Sequence, residues 1–180
     1  LTSNGDSDIF IAKLDSSGNW LWAKNAGGTD YDYGQGIAVD ASGNSYVTGT
    51  FGSTTATFGS TTLTSNGVYD IFVAKLDSSG NWLWAKNAGG TSFDYGSGIA
   101  VDASGNSYVT GYFADSATFG STTLTSNGDD DIFVTKLDSS GNWLWAKNAG
   151  GTSFDYGSGI AVDASGNSYI TGFFSDSATF

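Results

Sequence analysis

Asp8-Ile-Phe-Ile-Ala-Lys-Leu-Asp15, then Ser16-Ser-Gly-Asn19, then Trp20-Leu-Trp-Ala-Lys-Asn-Ala26 reads as two β-strands joined by a tight turn. The flanking runs are rich in β-branched and aromatic residues, and the turn carries Gly where a positive φ is needed. Ile9 and Ile11 on one face stand against Phe10, Ala12 and Leu14 on the other, and Trp20 and Trp22 stand opposite Leu21 and Ala23. An antiparallel sheet with one wet face would place polar residues at every second position. These strands therefore predict a sheet covered on both sides, which one short segment cannot achieve alone.

The covering comes from repetition. Leu1-Thr-Ser-Asn-Gly5 returns at Leu63 and at Leu124, and Trp20-Leu-Trp22 returns at Trp82-Leu-Trp84 and Trp143-Leu-Trp145. The periods are 62 and 61, which divides the chain into repeats 1–62, 63–123 and 124–180, the last short of one four-residue turn. The single-residue difference lies between Thr50-Phe-Gly-Ser-Thr-Thr-Ala56 and Tyr112-Phe-Ala-Asp-Ser-Ala117. An insertion tolerated there marks a surface loop.

Within a repeat, Gly36-Ile-Ala-Val-Asp40 predicts a third strand after the loop Thr29 to Tyr33, and Ser45-Tyr-Val-Thr-Gly49 a fourth after Ala41-Ser-Gly-Asn44. Ala56-Thr-Phe58 and Thr61-Thr-Leu63 flank Gly59-Ser60, a type II′ hairpin signal. Each repeat is thus a four-stranded antiparallel meander with one extra short hairpin, and the fold class is all-β. Stacking like sheets face to face is the logic of propellers and solenoids, and about 60 residues per repeat favours a propeller blade over a β-helix coil.

The 180 residues carry 18 acids, all Asp, and six bases, all Lys, for a formal charge of −12, with no His or Cys. Without His or Cys there is no thiol nucleophile, no Ser-His-Asp relay and no ordinary zinc site. Glu, Arg, Met and Pro are missing too. A chain this acidic and without Arg repels nucleic acid and anionic membrane, and no apolar run reaches the roughly 18 residues that span a bilayer. Catalysis is not expected. Asp-only acidity with Ser-, Thr- and Gly-rich turns leans toward a secreted bacterial protein. Leu1 in place of Met is consistent with a processed or excised piece.

Asp70-Ile-Phe-Val-Ala-Lys-Leu-Asp-Ser-Ser-Gly-Asn81, followed by Trp84-Ala-Lys86, Gly89-Gly90 and the run from Gly98 to Gly111, resembles the bacterial SBBP-type β-propeller repeat. The resemblance covers nearly the whole chain three times over. It implies four-stranded blades and an extracellular or cell-surface setting, and it brings no catalytic residues. The family's name implies seven blades, from which three repeats depart. A weaker likeness links Gly18 to Trp22 with the Gly-x-x-x-Trp segment that docks blades in quinoprotein propellers, but the Arg, Glu and paired Cys of a quinone site have no counterpart.

Propellers take roughly four to eight blades, so three repeats should not close alone. Either copies associate, two making a six-bladed ring, or the chain belongs to a longer array of repeats. Ala178-Thr179-Phe180 is one arm of the short hairpin and Leu1-Thr2 begins near the other, so these ends are the expected joint between copies. If the association fails to close, it yields a filament.

Candidate ligand sites are few. Gly28-Thr-Asp-Tyr-Asp-Tyr-Gly34 recurs at 90–96 and 151–157, so Asp32, Asp94 and Asp155 with Tyr33, Tyr95 and Tyr156 are candidates for a Ca²⁺ ring or a sugar-stacking rim. The competing reading is an Asp that bonds its own turn beside a packing Tyr. Asp129, Asp130 and Asp131 form the densest acid run and a second possible Ca²⁺ site; the other repeats have Asp6-Ser7-Asp8 and Val68-Tyr69-Asp70 there. Trp20, Trp22, Trp82, Trp84, Trp143 and Trp145 read as packing between blades, with a carbohydrate platform as the alternative. The functional expectation is a non-enzymatic extracellular structural protein that self-associates, with a calcium- or glycan-binding adhesin second and no cofactor beyond possible Ca²⁺.

Overall fold

The computed structural model describes all 180 residues and contains only strands and turns. Local chemistry sets the turns. At Asp15-Ser-Ser-Gly-Asn19 one Asp oxygen accepts the N–H groups of Ser17 and Asn19 while the other accepts the Asn19 amide, and Gly18 takes φ 83°. The same bonds recur at Asp40, Asp77, Asp102, Asp138 and Asp163, so six copies of one turn punctuate the chain. These exposed or nearly exposed carboxylates sit below the usual Asp range because the bonds favour the charged form.

Between the turns run β1 (Ile9–Leu14), β2 (Trp20–Ala26), β3 (Asp32–Val39), β4 (Ser45–Phe51), β5 (Thr55–Phe58), β6 (Thr61–Thr64), β7 (Asp70–Leu76) and β8 (Trp82–Ala88). They are followed by β9 (Asp94–Val101), β10 (Ser107–Phe119), β11 (Thr122–Leu137), β12 (Trp143–Gly151), β13 (Asp155–Val162), β14 (Ser168–Phe174) and β15 (Ala178–Thr179). The β5–β6 pair is the expected short hairpin. Gly59 has φ 63° and Ser60 is not left-handed, the type II′ pattern. In the second repeat the hairpin merges into the blade as the far ends of β10 and β11, with a bulge at Asp115, φ 58°. The extra residue of the first repeat breaks this continuity.

β3, β9 and β13 begin four residues earlier than the Gly36 start expected from sequence. A bulge between Gly34 and Gly36 skips Gln35 and lets the ladder run on to Asp32.

The sheets straddle the sequence repeats. β3-β4-β7-β8 make one four-stranded blade, so the last two strands of the first repeat pair with the first two of the second. β9-β10-β11-β12 repeat this, with β15 added at the outer edge. What remains is two half-blades: β1–β2 at the N-terminal end and β13–β14 at the C-terminal end. β9 packs against both β3 and β13, which puts these three strands on the inner side of the stack.

Burial follows the expectation of two covered faces. β4 and β7 are buried along their whole length. One apolar cluster joins Ile9 and Ile11 to Val47, Phe72, Ala74 and Leu76 across the first interblade gap, and a second joins Tyr46, Ile71 and Val73 to Val109, Phe113 and Phe133 across the next. Trp22 and Trp84 span those gaps: each indole N–H donates to a turn carbonyl of the following repeat, Ser78 and Ser139 at 3.2 Å, and each ring covers that turn's glycine, Gly80 or Gly141. Trp82 and Trp143 instead meet Phe58 and Phe119 edge-on beneath the short hairpin; Trp20 has no such hairpin beside it and lies exposed.

Equivalent residues thus differ only in what covers them. Phe133→Ala is expected to lower unfolding free energy by about 3–5 kcal/mol in denaturant titrations of dilute chain. The same change at Phe10, its exposed counterpart, should cost less than about 1 kcal/mol.

Candidate functional site

The two half-blades expose what the whole blades hide. Phe10 on β1 is 69% exposed, whereas its counterparts Phe72 and Phe133 are at 0%. Tyr169 on β14 is 62% exposed against 0% for Tyr46 and 1% for Tyr108, and Ile37 on β3 is 56% exposed against 8% for Ile99. β1 has no ladder partner on the side away from β2, and β14 none on the side away from β13. A groove of about 370 Å³ runs between β1 and β3, lined by Ile9, Phe10, Ile11, Tyr33, Ile37 and Val47 among others. Its place in the stack is the one that the inner strands of a further blade would fill.

The expected joint at the chain ends belongs to the same surface. β15 pairs with Gly150 and Gly151 of its own chain, and Thr2 accepts a bond from Asn25, so Ala178, Thr179 and Thr2 are anchored while Leu1 and Phe180 project into solvent. Inside the chain, Ala117 pairs with Leu124 on the ladder that carries Val109 opposite Thr135. The terminal hairpin arms and the β14 and β1 edges are therefore parts of one continuous line.

The Asp and Tyr of the recurring loop do not form one rim. Asp32, Asp94 and Asp155 are completely buried, accepting from the N–H groups of Gly28, Gly90 and Gly151 at 2.6 to 2.7 Å. Burial pushes Asp94 up to about 7, against the Gly90 bond that lowers it and with help from the charge of Asp70. Tyr95 and Tyr156 point elsewhere, into a line of aromatic rings: Tyr69 to Tyr95 at 5.5 Å, Tyr95 to Tyr112 at 4.9 Å, Tyr112 to Tyr156 at 4.0 Å and Tyr156 to Phe173 at 4.7 Å. Tyr33 stacks instead on Tyr31, at 6.1 Å. The acid run also separates. Asp129 is exposed, Asp130 accepts the Tyr156 hydroxyl at 2.8 Å, and Asp131 is buried across from Asp155.

Sequence reading missed that pairing. Asp8, Asp70 and Asp131 each face the loop Asp of their own repeat, Asp32, Asp94 and Asp155. The available signal was that this one acid recurs in all three repeats while its neighbours vary.

Two whole four-stranded antiparallel blades stacked about an inner edge, with a third split between the ends, define a β-propeller segment. The SBBP β-propeller repeat matches it at residues 21–50, 83–112 and 144–172, and the chain belongs to that family, as its sequence resemblance implied. It is also similar to a WD repeat-containing protein of Acanthamoeba polyphaga mimivirus, 28% identical over 203 aligned residues covering 95% of this chain and 15% of that protein. The regulatory protein FlaEY of Caulobacter vibrioides is 32% identical over 168 residues, covering 89% of this chain and 18% of its own length. The chain thus spans under a fifth of either relative.

Asp94 sets a pH dependence. A folded value raised above the unfolded one means the folded state binds the proton more tightly, so this stability is full below about pH 4 and is lost as pH climbs toward 7. In buffer containing a chelator, thermal unfolding should show stability falling from pH 5 to 7.5. Asp94→Asn should flatten that slope, leaving the variant more stable than the parent at pH 7.5 by on the order of 1–3 kcal/mol.

Proposed function

We propose that this chain is a non-catalytic extracellular scaffold module that assembles head to tail with further copies of itself. The complementarity of the two half-blades carries the reading. β1–β2 is the outer half of a blade lacking its inner pair, and β13–β14 is an inner half lacking its outer pair.

The internal β10–β11 ladder supplies the register of the joint. Carried to the ends, it sets Ser168 opposite a second copy's Leu14, Thr171 opposite Ile11, Phe174 opposite Asp8, and Ala178 opposite Leu1. Lys13 of the second copy then reaches the Tyr169 ring as Lys75 and Lys136 reach Tyr46 and Tyr108, at 4.7 Å. Phe10, Ile37 and Tyr169 all become covered, removing a contiguous apolar surface of the kind that marks interaction sites. The lack of Cys, His, Glu and Arg supports the non-catalytic part of the reading, and the acidic Ser-, Thr- and Gly-rich composition with the SBBP resemblance supports the extracellular setting.

Sedimentation velocity or light scattering tests it directly. The parent chain should run at twice the 18.5 kDa of one chain or more, rising with concentration. Phe10→Asp, which charges an exposed position of the single chain, should keep the circular dichroism of the parent and sediment as a monomer. A parent that stays at one chain's mass at high concentration refutes the reading.

The aromatic line from Tyr69 to Phe173 favours a second reading, a glycan-binding surface on which sugar faces stack. Binding on a glycan array that drops at least tenfold in Tyr95→Ala would support it; a blank array would remove it.

A further inference from the structure

Three pairs of carboxylates face each other inside the stack, and their geometry is the same in each repeat. A Cβ placed on Gly89 would lie 2.6 Å from Asp70 Oδ1 and 2.9 Å from Asp94 Oδ2. The corresponding distances at Gly27 are 2.6 Å to Asp8 Oδ1 and 2.9 Å to Asp32 Oδ2, and at Gly150 they are 2.5 Å to Asp131 Oδ1 and 2.9 Å to Asp155 Oδ2. Two carboxylate oxygens from different strands therefore flank the same glycine in every repeat, and any side chain there would collide with both.

The outward oxygens are well provided for. Asp70 Oδ2 accepts from the Asn66 backbone and amide at 2.9 Å each and from the Asn87 amide at 3.4 Å; Asp131 Oδ2 accepts from Asn127 and Asn148 in the same way. At Asp70 these donors pull downward against the burial that, on balance, raises it above the usual Asp range. The inward oxygens of the first-strand acids have nothing: Oδ1 of Asp8, Asp70 and Asp131 is buried with no hydrogen-bond partner, and Asp70 and Asp131 are at 0% exposure. The facing Oδ2 of Asp32, Asp94 and Asp155 accepts a backbone N–H, from Gly28, Gly90 and Gly151 respectively. No Lys approaches: Lys75 and Lys136 are engaged at the Ser139 carbonyl and the Asp102 carboxylate.

Buried charges without partners cost several kcal/mol each, and native structures meet that cost with a counter-charge or a metal. A single shared proton bridges one oxygen of each acid and leaves the pair with one net negative charge and no counter-charge. A cation takes oxygens from both acids at once. The donor set is all oxygen, which selects a hard cation, and Ca²⁺ tolerates the irregular six- to eight-fold shells that two carboxylates completed by backbone oxygens and water would give.

We propose that Asp8 with Asp32, Asp70 with Asp94, and Asp131 with Asp155 are three equivalent interstrand Ca²⁺ sites, one per repeat, that tie the first strand of each repeat to the third. They differ from the acid run Asp129 to Asp131, of which only Asp131 contributes. They also tie one whole blade to the next, because Asp70 heads β7 of one blade and Asp94 heads β9 of the blade after it.

The test is calorimetric titration of CaCl₂ into the full chain stripped with chelator, at pH 7.5, with thermal unfolding recorded alongside. The expected result is three equivalents bound at Kd of about 1 mM or tighter, the range of extracellular modules, and a melting temperature that rises with Ca²⁺. Asp70→Asn keeps the outward acceptor and offers an amide to Asp94, so it should fold, bind two equivalents and show a smaller Ca²⁺-dependent rise; Asp131→Asn should do likewise. Unchanged three-fold binding in both variants would place calcium elsewhere and overturn the assignment. So would absence of binding heat together with a melting temperature that responds to pH but not to Ca²⁺, the signature of a shared proton.

Discussion

Everything in this molecule follows from sheets that are apolar on both faces. A strand such as β7, with Ile71, Phe72, Val73 and Ala74 all at 0% exposure, cannot meet water on either side. At roughly 1.5–3 kcal/mol per large side chain removed from water, the burial of both faces outweighs any preference of the backbone itself and forces the sheets to stack. Trp22 and Trp84 then fix the spacing, because each must place its ring on a glycine and its N–H on a carbonyl of the following repeat.

Stacking alone would allow each repeat to be a self-contained blade. The chain instead shares every blade between two repeats, with β4 pairing with β7 and β10 with β11. This stapling couples blades through ladder bonds as well as through side-chain contact. It also has an unavoidable consequence at the ends, where each half-blade is left with one open edge and uncovered faces. Natural sheets blunt open edges with charges, prolines or bulges. β14 carries Tyr169, Ile170, Phe173 and Phe174 there, and no such device.

Much of this was legible from the residues. The period, the hairpin turns at Asp-x-x-Gly-Asn and the two apolar faces of Ile9 to Leu14 are local signals, and local signals survive without coordinates. The type II′ turn at Gly59 was visible for the same reason. The sharing of blades was hidden, because on paper the sheet continues equally well from β2 to β3 or from β4 to β7, and only three-dimensional packing selects between them. The start of β3 at Asp32 was hidden by the bulge at Gln35, which shifts the alternation by one residue. The carboxylate pairs were hidden because Asp70 and Asp94 lie 24 positions apart on strands of different blades. Asp94 also looks like an ordinary turn residue from its neighbours alone.

If the proposed joint forms, geometry and concentration together decide between ring and filament. Each chain holds two whole blades and two halves. Two chains joined at both ends therefore make six blades, inside the four to eight that known propellers occupy, while three chains would exceed it. Once one joint has formed between two chains, the second joint is intramolecular. Its effective concentration is of the order of millimolar where the geometry permits, far above that of free chains in dilute solution. Closure should therefore win at low concentration unless the wedge between blades resists it. Six near-identical wedges must sum to a full turn, and the same interface that stacks the internal blades fixes each wedge. Whatever angle those internal blades already adopt decides whether the last edge of such an assembly meets the first, so under the proposed joint the choice of ring or filament rests on the packing of Trp22 and Trp84 rather than on the joint itself.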